Sequence, residues 1–404
     1  MLTFDARNAS EDPGLHALII GVSTYEFFEG GSERSKIQND DAGSQKIKDP
    51  FGYAQLQGPA RTAARIAQLL IERKAELNPR LQTCRLLLSP DANEKTELND
   101  QKLPYGSARL QDVQKALLEW HGDAKKRPDN ATFFFFSGHG IQQSVGSSFL
   151  LLQDLLAGPQ PLDHALDFNN IYNGMRNGGD QSEMARTQIY CIDACRNSVS
   201  DLQAFEDLAA AQPFTVFRSG SDDRNAPIYF GASPGRNTFS LQPHDATVFG
   251  GHFLSCFGGT SADKIQVGNK RRWAVTIGGL AEGLSKLSQR FNRAHGARIL
   301  TVTTDKWTNL DVPLLFLPGP PSVDFTLSVD PELANQFAQV EAVQPAAEPI
   351  HFCCPLDPHP FCKPITAGGY TIKVKIRGKG QQFVAPPDDL VEIKGPVYDY
   401  VVQL

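Results

Sequence analysis

The sequence predicts an α/β protein, with a mostly parallel six-stranded sheet covered by helices on both faces, followed by a small C-terminal β-sandwich-like domain. Three observations predict it. Along residues 15–317, short apolar runs ending in Gly and small polar residues alternate with amphipathic stretches at helical spacing, the pattern of βαβ crossovers. Proline density peaks in FLPGPPSVDF (316–325) and marks a boundary. Beyond it, YTIKVKI (370–376), QQFVAPPDDLVEIKG (381–395) and YDYVVQL (398–404) alternate apolar and polar residues and are broken by Gly and Pro. The domains therefore read as residues 1–318 and 319–404.

HALIIGVSTY (16–25) is a first buried strand, apolar on both faces as parallel sheets require. The polar stretch 26–57 has no periodicity and reads as a mobile surface loop. PARTAARIAQLLIERKAEL (59–77) is an amphipathic helix with Ala63, Ala67 and Leu70 on one face, and CRLLLS (84–89) is the second strand. In SARLQDVQKALLEWHG (107–122), Ser107 reads as N-cap, Leu110, Val113, Leu117 and Trp120 as a buried stripe, and Gly122 as the stop. ATFFFFSGHG (131–140) is a third strand running into a glycine-flanked histidine, and SSFLLLQD (147–154) a hairpin or edge strand. FNNIYNGMRN (168–177) is a helix, TQIYCIDACRN (187–197) the fourth core strand and PIYFGASPG (227–235) the fifth. TIGGLAEGLSKLSQRF (276–291) is a helix and ARILTVTT (297–304) the sixth strand.

At 404 residues the chain exceeds one ordinary core. With 41% hydrophobic and 21% charged residues and a net charge of -6, it has the composition of a soluble globular protein. No apolar run approaches the roughly 18 residues of a membrane span, which argues against a membrane role. No Lys/Arg stripe offers a footprint for nucleic acid. MLTFDARNASEDPG carries neither the basic nor the apolar region of a secretory leader, so a cytoplasmic location is expected, with the seven cysteines as free thiols.

Reactive groups in an open parallel sheet gather beyond the carboxyl ends of its strands. His139 closes the third strand and Cys195 the fourth. If these strands are neighbours their axes lie about 4.8 Å apart, or about twice that with one strand between, and either spacing lets imidazole and thiol converge. Gly138 and Gly140 let the backbone bend sharply and leave an N–H free as an oxyanion donor. Cys191 shares strand parity with Cys195 but lies deeper. Four strand residues span about 13 Å, too far for one metal ion, so Cys191 reads as packing. HFCCPLDPHPFC (351–362) holds three cysteines and two histidines, which could bind zinc or form a disulfide; its spacing fits no standard zinc motif, and its prolines favour a plain loop. GGTSADK (258–264) lacks the phosphate-loop pattern, and His16 and His252 receive no role.

SGHG followed by DACRN, with histidine and cysteine at 139 and 195, resembles the caspase-like cysteine peptidases, which comprise caspases, metacaspases and their bacterial relatives. The resemblance covers about residues 15–317, with ALIIG and YFGASPG as weaker supports. It implies a caspase-like fold, Cys195 as nucleophile, His139 as its base and acid, and the amides of Gly140 and Cys195 as oxyanion hole. Asp193 stands where metacaspases carry the acid that reads an Arg or Lys side chain, and Ser137 matches a further pocket position. Thr62 stands where a second pocket acid is usual, and Arg236 is near the place of a caspase pocket arginine. Family members are often cut after the nucleophile strand. FRSGSDDRNAP (217–227) offers Arg218 and Arg224 as self-cleavage sites. The metacaspase calcium acids are not recognisable, and no cofactor or metal is implied. The expected partners are protein or peptide substrates and a regulatory protein docking on the C-terminal domain. The alternatives are a catalytically idle caspase-like interaction module and a protease with acidic P1 preference.

Overall fold

The computed structural model describes residues 2–7, 12–38, 53–144, 147–177, 183–194, 209–216, 222–231, 245–295, 303–305, 309–345, 347–352, 356, 360–378 and 382–404. In chain order the first elements are β1 (Phe4–Asp5), β2 (Leu15–Val22), α1 (Arg34–Gln38), α2 (Pro59–Glu72), β3 (Leu81–Ser89), α3 (Ala92–Gln101), β4 (Gly106–Ser107) and α4 (Leu110–Ala124). Next come β5 (Ala131–Gly138), β6 (Gly140–Ser144), β7 (Ser147–Leu151), β8 (Ala165–Asp167), α5 (Phe168–Gly174), β9 (Thr187–Ala194), β10 (Ile228–Phe230) and α6 (Val248–Ser255). They are followed by β11 (Asp263–Val267), β12 (Lys270–Thr276), α7 (Ile277–Ala294), β13 (Thr303–Asp305) and β14 (Pro313–Leu317). The last are β15 (Ser322–Asp330), β16 (Ala338–Val343), β17 (Ile350–Phe352), β18 (Phe361–Thr366), β19 (Gly368–Ile376), β20 (Asp389–Ile393) and β21 (Val397–Gln403). Two compact units emerge, Met1–Leu254 with Ser288–Leu310, and Ser255–Leu287 with Asp311–Leu404.

The first unit is built on an eight-stranded sheet in the order β1-β3-β2-β5-β9-β10-β13, with β4 also beside β3. Its centre is parallel from β3 to β10, and the edge strands β1 and β13 run antiparallel. The expected count of six is therefore corrected to eight, because β1 and β4 are two residues each and too short to show periodicity. The four phenylalanines of β5 show why an unbroken apolar run was needed. Phe134 faces Trp120 of α4 (ring centroids 6.0 Å apart), while Phe133 and Phe135 face Phe253 of α6 (5.7 and 6.3 Å). Successive side chains point to opposite faces, and both faces are covered.

Two local expectations are corrected. Helix α4 begins at Leu110 rather than near Ser107, because Asp154 Oδ1 accepts the Leu110 N–H (3.0 Å) from a distant turn, and Gly122 lies inside the helix. Of the insert 26–57, residues 39–52 lie outside the described residues, and the described part that follows them is pinned in place rather than loose. Gln55 clamps the end of the first strand in both directions, accepting from Tyr25 N–H (2.6 Å) and donating to Tyr25 O (2.9 Å), while Leu56 N–H donates to Ser23 O (2.8 Å). Helix α3 carries too little apolar signal to be read as buried, yet its capping box of Asp91 and Glu94 is complete. Glu94 also accepts from the amides of Gly58 and Arg61 and so closes the start of α2.

In the second unit, β18-β15-β21 and β17-β16-β19-β20 form two sheets whose buried residues share one cluster, among them Phe325, Leu327, Val340, Phe352, Ile372 and Ile393. The alternating burial along β15 and β16 is the period-two pattern of a sandwich. A third sheet of this unit has the order β11-β12-β14. Among the described residues no helix is long and apolar enough to cross a membrane.

Candidate active site

Strands β5 and β9 are direct neighbours, parallel, with Ser137 opposite Asp193 and Gly138 opposite Ala194. His139 follows the last residue of β5, and position 195 follows the last residue of β9. Cys195 itself lies outside the described residues, as do Arg218 and Arg236.

Two hydrogen bonds and three aromatic rings hold His139, which is 5% exposed. Its backbone N–H donates to Tyr25 Oη (2.7 Å). Gly138 permits that approach, since a Cβ there would sit 3.0 Å from Tyr25 Oη and 3.2 Å from the Phe136 ring. The imidazole stacks on Tyr53 (centroids 4.4 Å apart, 22° between planes) and is flanked by Tyr25 and Phe28. Nε2 lies 2.8 Å from the Ala54 carbonyl. A carbonyl can only accept, so Nε2 carries the proton and Nδ1 keeps the lone pair. Nδ1 is buried and has no hydrogen-bond partner among the described residues. Burial pushes the imidazole pKa down to about 4, against the opposing pull of Ala54 O. The ring is therefore neutral at pH 7, held in one tautomer, with its basic nitrogen unoccupied. Tyr25→Phe strands the buried His139 amide, so a stability loss of about 1–3 kcal/mol and a lower kcat are expected. Chemical denaturation and turnover measured together check this, and unchanged values in both would remove Tyr25 from the site.

Asp193 is 1% exposed. Its Oδ2 accepts from Ser137 Oγ (2.8 Å) and from Thr247 Oγ1, whereas Oδ1 is buried without a partner among the described residues. Burial raises its pKa to about 6, and the two hydroxyls resist that rise. A carboxylate kept from water with one oxygen unpaired is a natural receptor for a cation. Ser137 and Asp193 are thus brought together as the sequence led us to expect. Thr247, Tyr53 and Ala54 were not foreseen. None belongs to a motif, and all reach the site from chain segments remote from both strand ends.

Cys191 is buried between Phe135 and Tyr229 in the sheet register, and burial together with the neighbouring Asp193 pushes its thiol well above the ordinary value. Such a thiol stays protonated and inert. Gly140 opens β6, and its carbonyl lies 3.5 Å from Tyr53 Oη. Arg224 is 4% exposed, paired with Asp222 (2.7 Å), and donates to Tyr172 O (2.9 Å) and Gln188 Oε1 (2.8 Å). His16 contacts Thr83 Oγ1 (2.9 Å) at the opposite end of the sheet, and His252 lies on α6. Among the described residues no three His, Cys, Asp or Glu side chains cluster as a metal site. Of the 351–362 stretch, Cys353, Cys354 and His359 fall outside the described residues, while Cys362 is an exposed free thiol.

A family model described as a caspase domain matches residues 15–272, a span holding both strand ends and the polar cluster around Asp193. No curated protein matches the chain.

Proposed function

Because the chain belongs to the caspase family of cysteine peptidases, we propose that it is an endopeptidase working through a Cys195–His139 dyad, and that it cleaves after basic residues. The observation that carries this reading is the unoccupied Nδ1 of His139 at the end of β5, beside the strand that leads directly into Cys195. In the proposed cycle Nδ1 takes the thiol proton of Cys195, the sulfur attacks the scissile carbonyl carbon, and the carbonyl π electrons move to oxygen. The amides of Gly140 and Cys195 receive that oxyanion, a contribution of about 3–4 kcal/mol where such donors are preorganised. Collapse expels the amine, which takes the proton from Nδ1–H, leaving an acyl-thioester. A water molecule, deprotonated by the same nitrogen, then releases the acid and restores the thiol. The Ala54 carbonyl holds the ring in orientation and steadies the imidazolium formed in passing.

Asp193, with Ser137, is assigned to the P1 side chain. Support comes from the unpaired Oδ1, which a Lys or Arg cation would neutralise. Self-cleavage is assigned to Arg218, since Arg224 is buried in its own polar contacts and its guanidinium is unavailable to a pocket in this conformation.

The test uses a chloromethyl ketone probe and a peptide panel varying P1 among Arg, Lys, Asp and Asn. Labelling is expected in wild type and Cys191→Ala and not in Cys195→Ala, with turnover confined to Arg and Lys. Equal labelling of Cys195→Ala would overturn the dyad, and cleavage after Asp would overturn the pocket assignment alone. Intact-mass analysis is expected to show a cut at Arg218 that Arg218→Gln abolishes; an uncut chain that turns peptides over would refute self-cleavage.

A further inference from the structure

Resting on the assignment of Asp193 to a basic P1 side chain, we infer that Thr247, braced by Thr62, makes the pocket select lysine over arginine. Each carboxylate oxygen offers two lone-pair sites. Both sites on Asp193 Oδ2 are filled, one by Ser137 Oγ–H and one by Thr247 Oγ1–H. Only Oδ1 remains for a substrate.

Thr247 does not easily turn away. Its Oγ1 accepts the Gly250 N–H (3.1 Å) and lies 3.3 Å from Thr62 Oγ1, while its own backbone N–H donates to Thr62 Oγ1 (2.9 Å). Because the Thr247 hydroxyl proton is committed to Asp193, Thr62 supplies the proton between the two hydroxyls. The result is a directional chain from Thr62 through Thr247 to the carboxylate. Thr62 is locked in turn by packing, since a Cβ on Gly250 would fall 2.1 Å from its methyl group. Thr247, just before α6, thus holds Asp193 Oδ2 directly, and Thr62 of α2 holds it through Thr247.

The two basic side chains need different receptors. A guanidinium is a rigid fork of five N–H donors that pairs with a carboxylate through both oxygens at once. With Oδ2 saturated that fork has one tine to seat, and buried N–H groups are left unpaired. An ammonium is a compact charge with three rotatable donors, and a single oxygen can receive it end-on. Thr62 supplies no second carboxylate to complete an arginine site.

The experiment compares kcat/KM for two peptides differing only in P1 Lys or Arg, cleaved by the full chain as wild type, Thr247→Ser and Thr247→Val. Wild type and Thr247→Ser, which keep the hydroxyl, are expected to favour Lys by about tenfold or more, the scale of one stranded buried donor. Thr247→Val frees one site on Oδ2 and is expected to bring the ratio to about unity. Wild type that favours Arg or treats both alike overturns the inference, as does a Lys preference unmoved in Thr247→Val. Should Thr247→Val not fold, Ser137→Ala removes the other donor and must shift the ratio the same way. Failure to cut after either basic residue while cutting after another refutes the basic pocket itself, an outcome distinct from a wrong Lys-to-Arg ratio.

Discussion

His139→Ala is expected to lower kcat by about 10²–10⁴-fold with little change in KM, because the role proposed for the residue is proton transfer rather than substrate binding. The neutral ring with a free Nδ1 predicts the form of its pH dependence as well. The base is competent above its pKa of about 4, so loss of His139 function on acidification lies well below pH 6. Any acid limb observed near pH 6 must then have another source. Steady-state kinetics of both proteins, normalised by titration of Cys195 with the electrophilic probe, check this; a variant within tenfold of wild type removes the histidine from the mechanism.

Asp193→Asn is expected to cut kcat/KM for basic P1 peptides by about two orders of magnitude or more, as loss of one partner of a desolvated charge pair does. Its stability should change in the opposite sense as pH rises. The folded carboxyl titrates at about 6 and the ordinary value is 3.8. Between those values the unfolded chain gives up a proton that the folded chain retains, so wild-type stability falls as pH rises through that window. Above it the full penalty persists, on the order of 2–3 kcal/mol at about 1.4 kcal/mol per pH unit. Asparagine has no such titration. The stability difference, variant minus wild type, should therefore become more positive by that amount between pH 4 and pH 7. A difference flat with pH would mean that Asp193 is ionised at no cost, contrary to its burial. On the proposed pocket assignment, the same ionisation is expected to set the acid limb of kcat/KM for basic peptides near pH 6.

The parallel core was readable because β2, β5 and β9 are buried on both faces, and a run such as FFFF can satisfy nothing else. Ser137 and Asp193 were readable because they occupy strand ends, where register brings neighbours together without regard to the rest of the chain. The residues that shape the site from outside were not. Thr247 precedes α6 and reaches Asp193 across a gap of 54 positions in sequence. Tyr53 and Ala54 sit at the end of a polar stretch with no period, and their roles depend on a ring face and a peptide oxygen, which no residue-type pattern encodes. Helix α4 was misplaced at its start for a similar reason, since its cap is supplied by Asp154.

The oxygen that orients His139 belongs to the main chain at Ala54. Side chains are what mutation changes, so this hydrogen-bond partner presents almost no mutational target. Substitution of Ala54 itself should leave the histidine undisturbed, provided that Gln55 still pins the path beside Tyr25 and that Phe28 and Tyr53 keep their rings against the imidazole. Changes in length, or a proline that diverts the path, are what this arrangement cannot absorb. Position 54 should therefore tolerate substitution far better than insertion or deletion beside it.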